Sequence, residues 1–255
     1  MDYPQQKQSK ILVIGETCID RYVIGSCDRI SPEAPVPILF EQNKFEKLGM
    51  ASNVSTNIKA LGQETILVTN NDKIVKTRFI DSKSKQHILR VDELDQCESI
   101  DVDVLVKILA KQEFTATIIS DYNKGFLPEE KIKSFIDLLP KPIFVDTKKQ
   151  DLSIFEKCII KINELENSRV SNMPDDSDII VTYGARGAKF NGEIIATDPV
   201  NVVDVCGAGD TFLASLAVYF CEFKNLRSAI KFANKCARVA VQKTGVCSVT
   251  LEDIK

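Results

Sequence analysis

The sequence predicts an α/β fold: a doubly wound, mainly parallel sheet with a small antiparallel β lid. Short, nearly continuous apolar runs recur along the chain, and helix-period segments separate most of them. Two stretches, about 21–47 and 76–92, break that alternation. The runs are ILVIG (11–15), TILVT (65–69), ATIIS (116–120), PIFVD (142–146), CIIKI (158–162) and DIIVT (178–182). They are rich in β-branched residues and lack polar alternation, as strands covered on both faces require.

The helical segments have their own signals. In SNVSTNIKALG, Val54, Ile58 and Leu61 share one face, and Gly62 suits the C-terminal cap. DVDVLVKILAKQ groups Leu105, Ile108 and Leu109. PEEKIKSFIDLL opens on Pro128 and two acids and offers Ile132, Phe135, Ile136 and Leu139 for burial. The two exceptional stretches read as the lid. Residues 21–47 carry three prolines among short β-like runs, and 76–92 alternate like a strand pair around a polar turn. Residues 1–255 are expected to form one domain.

Composition narrows the function. The 255 residues are 44% hydrophobic and 27% charged, enough for one substantial core. A formal charge of -3 supplies no basic field for nucleic acid. Eight cysteines without a CxxC pair read as free thiols rather than a disulfide or zinc framework. His87 is the sole histidine, which argues against imidazole metal cages and Ser-His-Asp catalysis. The polar start MDYPQQKQSK has no signal-peptide core, and no apolar run is long enough to span a bilayer. A cytoplasmic location without a membrane partner is the expectation.

Open α/β sheets bind ligands beyond the carboxyl ends of their strands. There the sequence places Glu16 to Asp20, Asp121, Asp146, Asn163 with Glu166, and Thr182 with Gly184. The sharpest stretch is DVCGAGDTF, Asp204 to Phe212, which leads into a long apolar run. A glycine turn before a helix lets an anion approach unpaired amides, here those of Gly207, Ala208 and Gly209. Asp210 then stands where it can take a proton from an attacking hydroxyl, which suits phosphoryl transfer. By itself the stretch reads equally well as a tight turn with a favourable first-turn acid. No GK[ST] follows, so it is not a Walker A loop.

DVCGAGDTF resembles the second signature of the PfkB/ribokinase family of sugar kinases, and further segments follow in that family's order. ILVIGETCIDRY resembles its first strand with a substrate-binding aspartate, Asp20. LGMASNVSTNIKALG resembles its first signature, with Gly49 and Asn53 at sugar-contacting positions. NELE matches its NxxE motif, in which Asn163 and Glu166 organise Mg²⁺ and phosphates, mostly through water. VTYGARGAKF resembles its nucleotide segment, with Thr182, Gly184 and Gly187, and FANKCARVAVQKTG its late adenine-lining helix, with Asn234.

RISPEAPVP and SDYNKG are closest to the heptose-7-phosphate kinases of lipopolysaccharide-core precursor synthesis. That resemblance covers nearly the whole chain. It implies a ribokinase-like fold and ATP-dependent phosphorylation of the anomeric hydroxyl of D-glycero-D-manno-heptose 7-phosphate. Some members carry a fused nucleotidyltransferase, and a stand-alone kinase is expected here.

On this reading Asp210 is the base and Gly207, Ala208 and Gly209 form the anion hole. Asp20, Gly49 and Asn53 meet the sugar, with Arg90, Arg29 or Arg78 on its phosphate and Lys124 on a phosphate oxygen. Asn163, Thr182, Gly184, Gly187 and Asn234 bind ATP. Asn163 and Glu166 serve Mg²⁺, and Asp204 borders a site for a monovalent cation such as K⁺. Asp20 and Asn53 read alternatively as caps, and Asn163 with Glu166 as an ordinary helix start. A homodimer paired through the lids is expected.

The sequence also departs from the family. Met50 replaces the second of two paired glycines and would narrow the sugar site or change its shape. Lys161 adds a charge near the nucleotide side, and the segments after Thr69 and after Glu166 are short. A kinase for another sugar or nucleoside, and an inactive sugar- or nucleotide-binding relative, are the alternatives. A binding protein has no need of the base.

Overall fold

In the computed structural model, which describes residues 3–4 and 10–254, an eight-stranded sheet forms the body. Its strands are β1 (Lys10–Gly15), β4 (Glu64–Val68), β7 (Ala116–Asp121), β8 (Ile143–Thr147), β9 (Ile159–Asn163), β10 (Asp178–Thr182), β11 (Ala188–Phe190) and β12 (Glu193–Ile195). The order is β12-β11-β10-β9-β8-β7-β1-β4. The strands from β4 to β10 pair in parallel, and the β11–β12 hairpin closes one edge antiparallel. All six predicted strand runs are present, within a residue or two of their expected limits.

The continuous apolar runs are explained by helices on both faces. Ile11, Val13, Ile118 and Phe144 face α1 (Ala51–Ala60), α5 (Ala208–Phe223) and α6 (Leu226–Ala240), meeting Val54, Ile58, Leu216 and Ile230. Leu12, Ile14, Ile119, Val145 and Ile160 face α2 (Val102–Lys111) and α3 (Glu129–Phe135), meeting Leu105, Ile132 and Phe135. Gly62, at φ 86°, ends α1 as expected. Asp101 caps α2 by accepting from the amides of Asp103 and Val104. The helix after Pro128 is shorter than its pattern suggested: it stops at Phe135 and tightens into a 3₁₀ turn, Ile136–Leu138.

The lid is a four-stranded sheet of β2 (Thr17–Ile30), β3 (Pro37–Met50), β5 (Ile74–Asp81) and β6 (His87–Glu93), in the order β3-β2-β5-β6. Each predicted lid stretch forms an antiparallel hairpin, and β2 and β5 join the two hairpins in parallel. The prolines lie in the connection after β2 and at the first residue of β3, where no ladder donor is lost. β2 starts two residues past β1, and β3 runs directly into α1, so the lid grows out of the sheet's carboxyl edge. No helix among the described residues is long and apolar enough to cross a membrane, and all eight cysteines are free.

Candidate active site

The loop before α5 is tied down by Asp204. Its two carboxylate oxygens accept the amides of Cys206 and Gly245, each at 2.9 Å. Gly207 follows in the left-handed conformation at φ 78°. A Cβ there would lie 2.7 Å from Asn53 Nδ2 and 2.9 Å from Val246 Cγ1, so glycine is required by both backbone and space. The Ala208 amide turns back to the Val205 carbonyl at 3.3 Å. That narrows the expected anion hole to the Gly207 and Gly209 amides and the open first turn.

Asp210 sits in this first turn, only 4% exposed. Tyr122 Oη donates to its Oδ1 at 2.7 Å, and Asn53 Nδ2 donates to its Oδ2 at 3.0 Å. Burial pushes the Asp210 carboxyl up to about 6, against the two hydrogen bonds, which favour the carboxylate. Asn53 makes no cap bond on α1. Asn57 Nδ2 holds Asn53 Oδ1 at 3.1 Å, while Asn57 Oδ1 accepts the Val249 amide at 3.1 Å. Asn53 is therefore a fixed partner of the carboxylate.

Tyr122 was not among the expected site residues, although it lies in the SDYNKG segment. It is placed by Glu16, a buried carboxylate between β1 and β2. Glu16 accepts the amides of Tyr122 at 2.8 Å, Lys124 at 2.9 Å and Phe126 at 3.3 Å. Burial and then the neighbouring Asp121 raise the Glu16 carboxyl above its ordinary range, and these amides oppose the shift.

On the lid side, Asp20 is buried and ion-paired with Arg78. Gly49 lies opposite Cys18 in register, and a Cβ on it would collide with the Asp20 carboxylate. Gly49 thus makes room for that group. Met50 keeps a glycine-type backbone, φ 58° and ψ -134°, and its side chain is buried with Cys18 and Ile74. Between lid and body lies a cavity of about 690 Å³, lined by Arg78, Lys85, His87 and Arg90 and by Val202 to Cys206. Arg90 also pairs with Asp92 at 2.8 Å. Arg29 is exposed near the far end of β2 and does not line this cavity. The Lys124 ammonium is turned to Asp95.

A second cavity, of about 220 Å³, brings together Thr182, Gly184, Gly187 and Asn234 with Ala208 and Gly209. Val202 and Val205 line both cavities, so the two meet at the loop before α5. The Asn234 amide is spent on the Ile195 carbonyl at 2.8 Å. Asn163 and Glu166 form a reciprocal capping box on α4 (Glu164–Asn167), with both bonds at 2.8 Å, and Glu166 also pairs with Lys148. The helix-start reading is therefore realised.

Asp146, at the end of β8, binds the Lys161 ammonium at 2.7 Å through Oδ2, while its buried Oδ1 has no hydrogen-bond partner. Among the described residues no cluster of three or more His, Cys, Asp or Glu could cage a metal. Mg²⁺ bound with a nucleotide uses one or two carboxylates plus phosphates and water, so the orphaned Asp146 oxygen and Glu166 fit it.

Residues 133–253 match the family model described as pfkB family carbohydrate kinase. The bifunctional protein HldE of a Nitratiruptor species is 33% identical over 298 residues, covering 96% of this chain and 64% of that protein. HldE of Helicobacter pylori is 32% identical over 303 residues, covering 96% and 65%. The chain thus spans slightly less than two thirds of the length of these relatives. The 298 aligned positions exceed the chain's 255 residues, so the Nitratiruptor relative carries segments that this chain lacks.

Among solved structures, phosphofructokinase-2 from Escherichia coli in complex with potassium superposes with a TM-score of 0.75 at 17% identity, covering 97% of this chain and 96% of that one. Ribokinase from Thermotoga maritima gives 0.69 at 17% identity, covering 96% and 97%. These two establish a shared ribokinase-like fold. Together with the family match over residues 133–253 and the HldE relatives, they lead to one conclusion: the chain carries the ribokinase-like fold and is similar to the pfkB family of carbohydrate kinases.

Proposed function

We propose that the chain transfers the γ-phosphoryl group of ATP to a hydroxyl of a sugar phosphate, the anomeric hydroxyl of D-glycero-D-manno-heptose 7-phosphate, with Asp210 as general base. The observation that carries this is the position of Asp210: a buried carboxylate in the first turn of α5, three residues past the loop at which the two cavities meet. The sugar lies under the lid, with Asp20, Gly49 and Asn53 at its hydroxyls. Its phosphate meets the Arg78, Lys85, His87 and Arg90 side of the larger cavity. The nucleotide occupies the apolar cavity of Thr182, Gly184, Gly187 and Asn234.

Asp210 takes the hydroxyl proton as the sugar oxygen attacks the terminal phosphorus. The bond to the bridging oxygen breaks, ADP leaves, and Asp210 gives up the proton after release. The Gly207 and Gly209 amides and the helix end hold the phosphoryl oxygens in line. Asn163, Glu166 and Asp146 would hold Mg²⁺, directly or through water. The ion supplies charge neutralisation at the phosphates. Asp204 would lend its charge to a K⁺ ion beside the same loop.

The resemblance of RISPEAPVP and SDYNKG to heptose-7-phosphate kinases and the cationic lid cavity both support a phosphorylated heptose. ADP release from Mg·ATP across neutral sugars, nucleosides and sugar phosphates tests the reading. Turnover confined to heptose 7-phosphate is expected, and turnover only on a neutral sugar or a nucleoside would move the substrate. Ile30, Phe40, Leu48 and Leu89 are exposed on the lid and support a homodimer, checked by sizing in solution. The free cysteines are consistent with a cytoplasmic location.

A further inference from the structure

Lys161 is a charged residue where the fold asks for an apolar one. It lies within β9, flanked by Ile160 and Ile162, and is only 3% exposed. Strand alternation turns Ile160 and Ile162 into the core beneath α2 and α3, and Lys161 toward the face covered by α5. Its register partner on β8 is Asp146, which its ammonium binds. A buried ion pair is weak evidence for stability, because desolvation offsets most of the attraction.

The position of the ammonium points further. A Cβ on Gly209 would lie 3.0 Å from Lys161 Nζ and 3.9 Å from Asp146 Oδ2, so the ammonium sits directly under the first turn of α5. That end of the helix already carries about half a positive charge. A cation there is repelled by the helix, and Asp146 compensates it through one oxygen only. An ammonium has three protons, and the hydrogen bond assigned to Lys161 Nζ uses one. A unit charge, a helix end and free glycine amides converging on one point form a receptor for a multiply charged anion.

We propose that Lys161 is a further catalytic residue, whose ammonium donates to a non-bridging oxygen of the phosphoryl group in transfer. This rests on the kinase reading above. The anion site is then a side-chain cation combined with the backbone of α5. Lys161 neutralises charge that the amides alone leave exposed, and Asp146 keeps the ammonium aimed before the nucleotide arrives. As a compact point charge on a flexible stem, Lys161 can follow the group as it moves from donor to acceptor.

The test compares the parent with Lys161→Met and Lys161→Arg in Mg²⁺ buffer, measuring calorimetric binding of AMP and of the non-hydrolysable analogue AMP-PNP, and kcat. The expected Lys161→Met result is AMP affinity within about twofold of the parent, AMP-PNP at least about tenfold weaker, and kcat down about 100-fold or more. Lys161→Arg should recover part of both losses. AMP-PNP affinity within twofold and kcat within threefold of the parent would overturn the proposal. If the Met variant does not fold, ¹⁵N spectra of lysine Nζ in the parent, assigned with Lys161→Arg, decide: AMP-PNP but not AMP should shift the Lys161 signal, and no shift overturns it. Failure of the kinase reading looks different, because the parent itself then forms no ADP with any sugar.

Discussion

Tyr122 Oη donates to Asp210 Oδ1 at 2.7 Å, from a position fixed by the Glu16 carboxylate. This bond links the end of β7 to the first turn of α5. It orients the carboxylate and favours its ionised form. Tyr122→Phe removes the donor and leaves the ring. A hydrogen bond to a charged group contributes about 1.5–3 kcal/mol, so kcat should fall about tenfold or more. Because the lost bond favoured the carboxylate, the acid limb of the pH–rate profile should move to higher pH. An unchanged profile would mean that Tyr122 does not act on the base.

The parent enzyme should lose activity as pH falls through about 6, where Asp210 takes up a proton and stops serving as base. The same shift affects stability with the opposite trend. The folded-state carboxyl is raised above its ordinary 3.8. Its contribution is therefore fully present below that value and is lost as pH rises through about 6. The loss is about 3 kcal/mol. Asp210→Asn lacks this titration, so it should gain on the parent by about that amount between pH 4 and 7 in urea unfolding. A constant difference across this range would contradict the buried-carboxylate assignment.

Met50 tests backbone strain. Its φ of 58° with ψ of -134° belongs to glycine, yet its side chain fills a small cluster with Cys18 and Ile74. Met50→Ala gives up the buried side chain and keeps the strain. Met50→Gly gives up the side chain and relieves the strain, which is of the order of 1–3 kcal/mol. Met50→Gly should therefore be the more stable variant by about 1 kcal/mol or more in thermal or urea unfolding, although it has the smaller side chain.

Arg90 lines the lid cavity and its present partner, Asp92, is on the same strand. If the cavity takes the substrate phosphate, Arg90→Ala should raise KM for the sugar phosphate about tenfold or more and leave KM for ATP unchanged. Arg29, which lies outside the cavity, is the control. Equal effects of Arg90→Ala and Arg29→Ala would place the phosphate elsewhere.

The strands were legible because burial on both faces leaves a continuous apolar run, and ILVIG and ATIIS needed no further context. The place of Asp210 in the first turn of a helix was legible from the glycine turn before it, whereas its reading as a base came from the family resemblance. The parallel pairing of β2 with β5 was not legible: each hairpin has a local signal, but the register between hairpins is set by the whole fold. Tyr122 escaped notice because its role depends on Glu16, 106 residues earlier, which gathers amides across a strand end. For Asn163 and Glu166 the sequence supported both a cap and a ligand reading, and the reciprocal cap is present. Met50, expected to narrow the sugar site or change its shape, buries its side chain in a cluster with Cys18 and Ile74, against which Tyr122 packs.

The most direct measurement of the central claim is ADP release by the parent and by Asp210→Asn, with the accepted sugar phosphate and Mg·ATP, alongside calorimetric binding of AMP-PNP. The account predicts that the variant folds, binds the nucleotide within a few-fold of the parent and loses turnover by about 100-fold or more. Turnover within about threefold of the parent, with nucleotide still bound, would show that Asp210 is not the base.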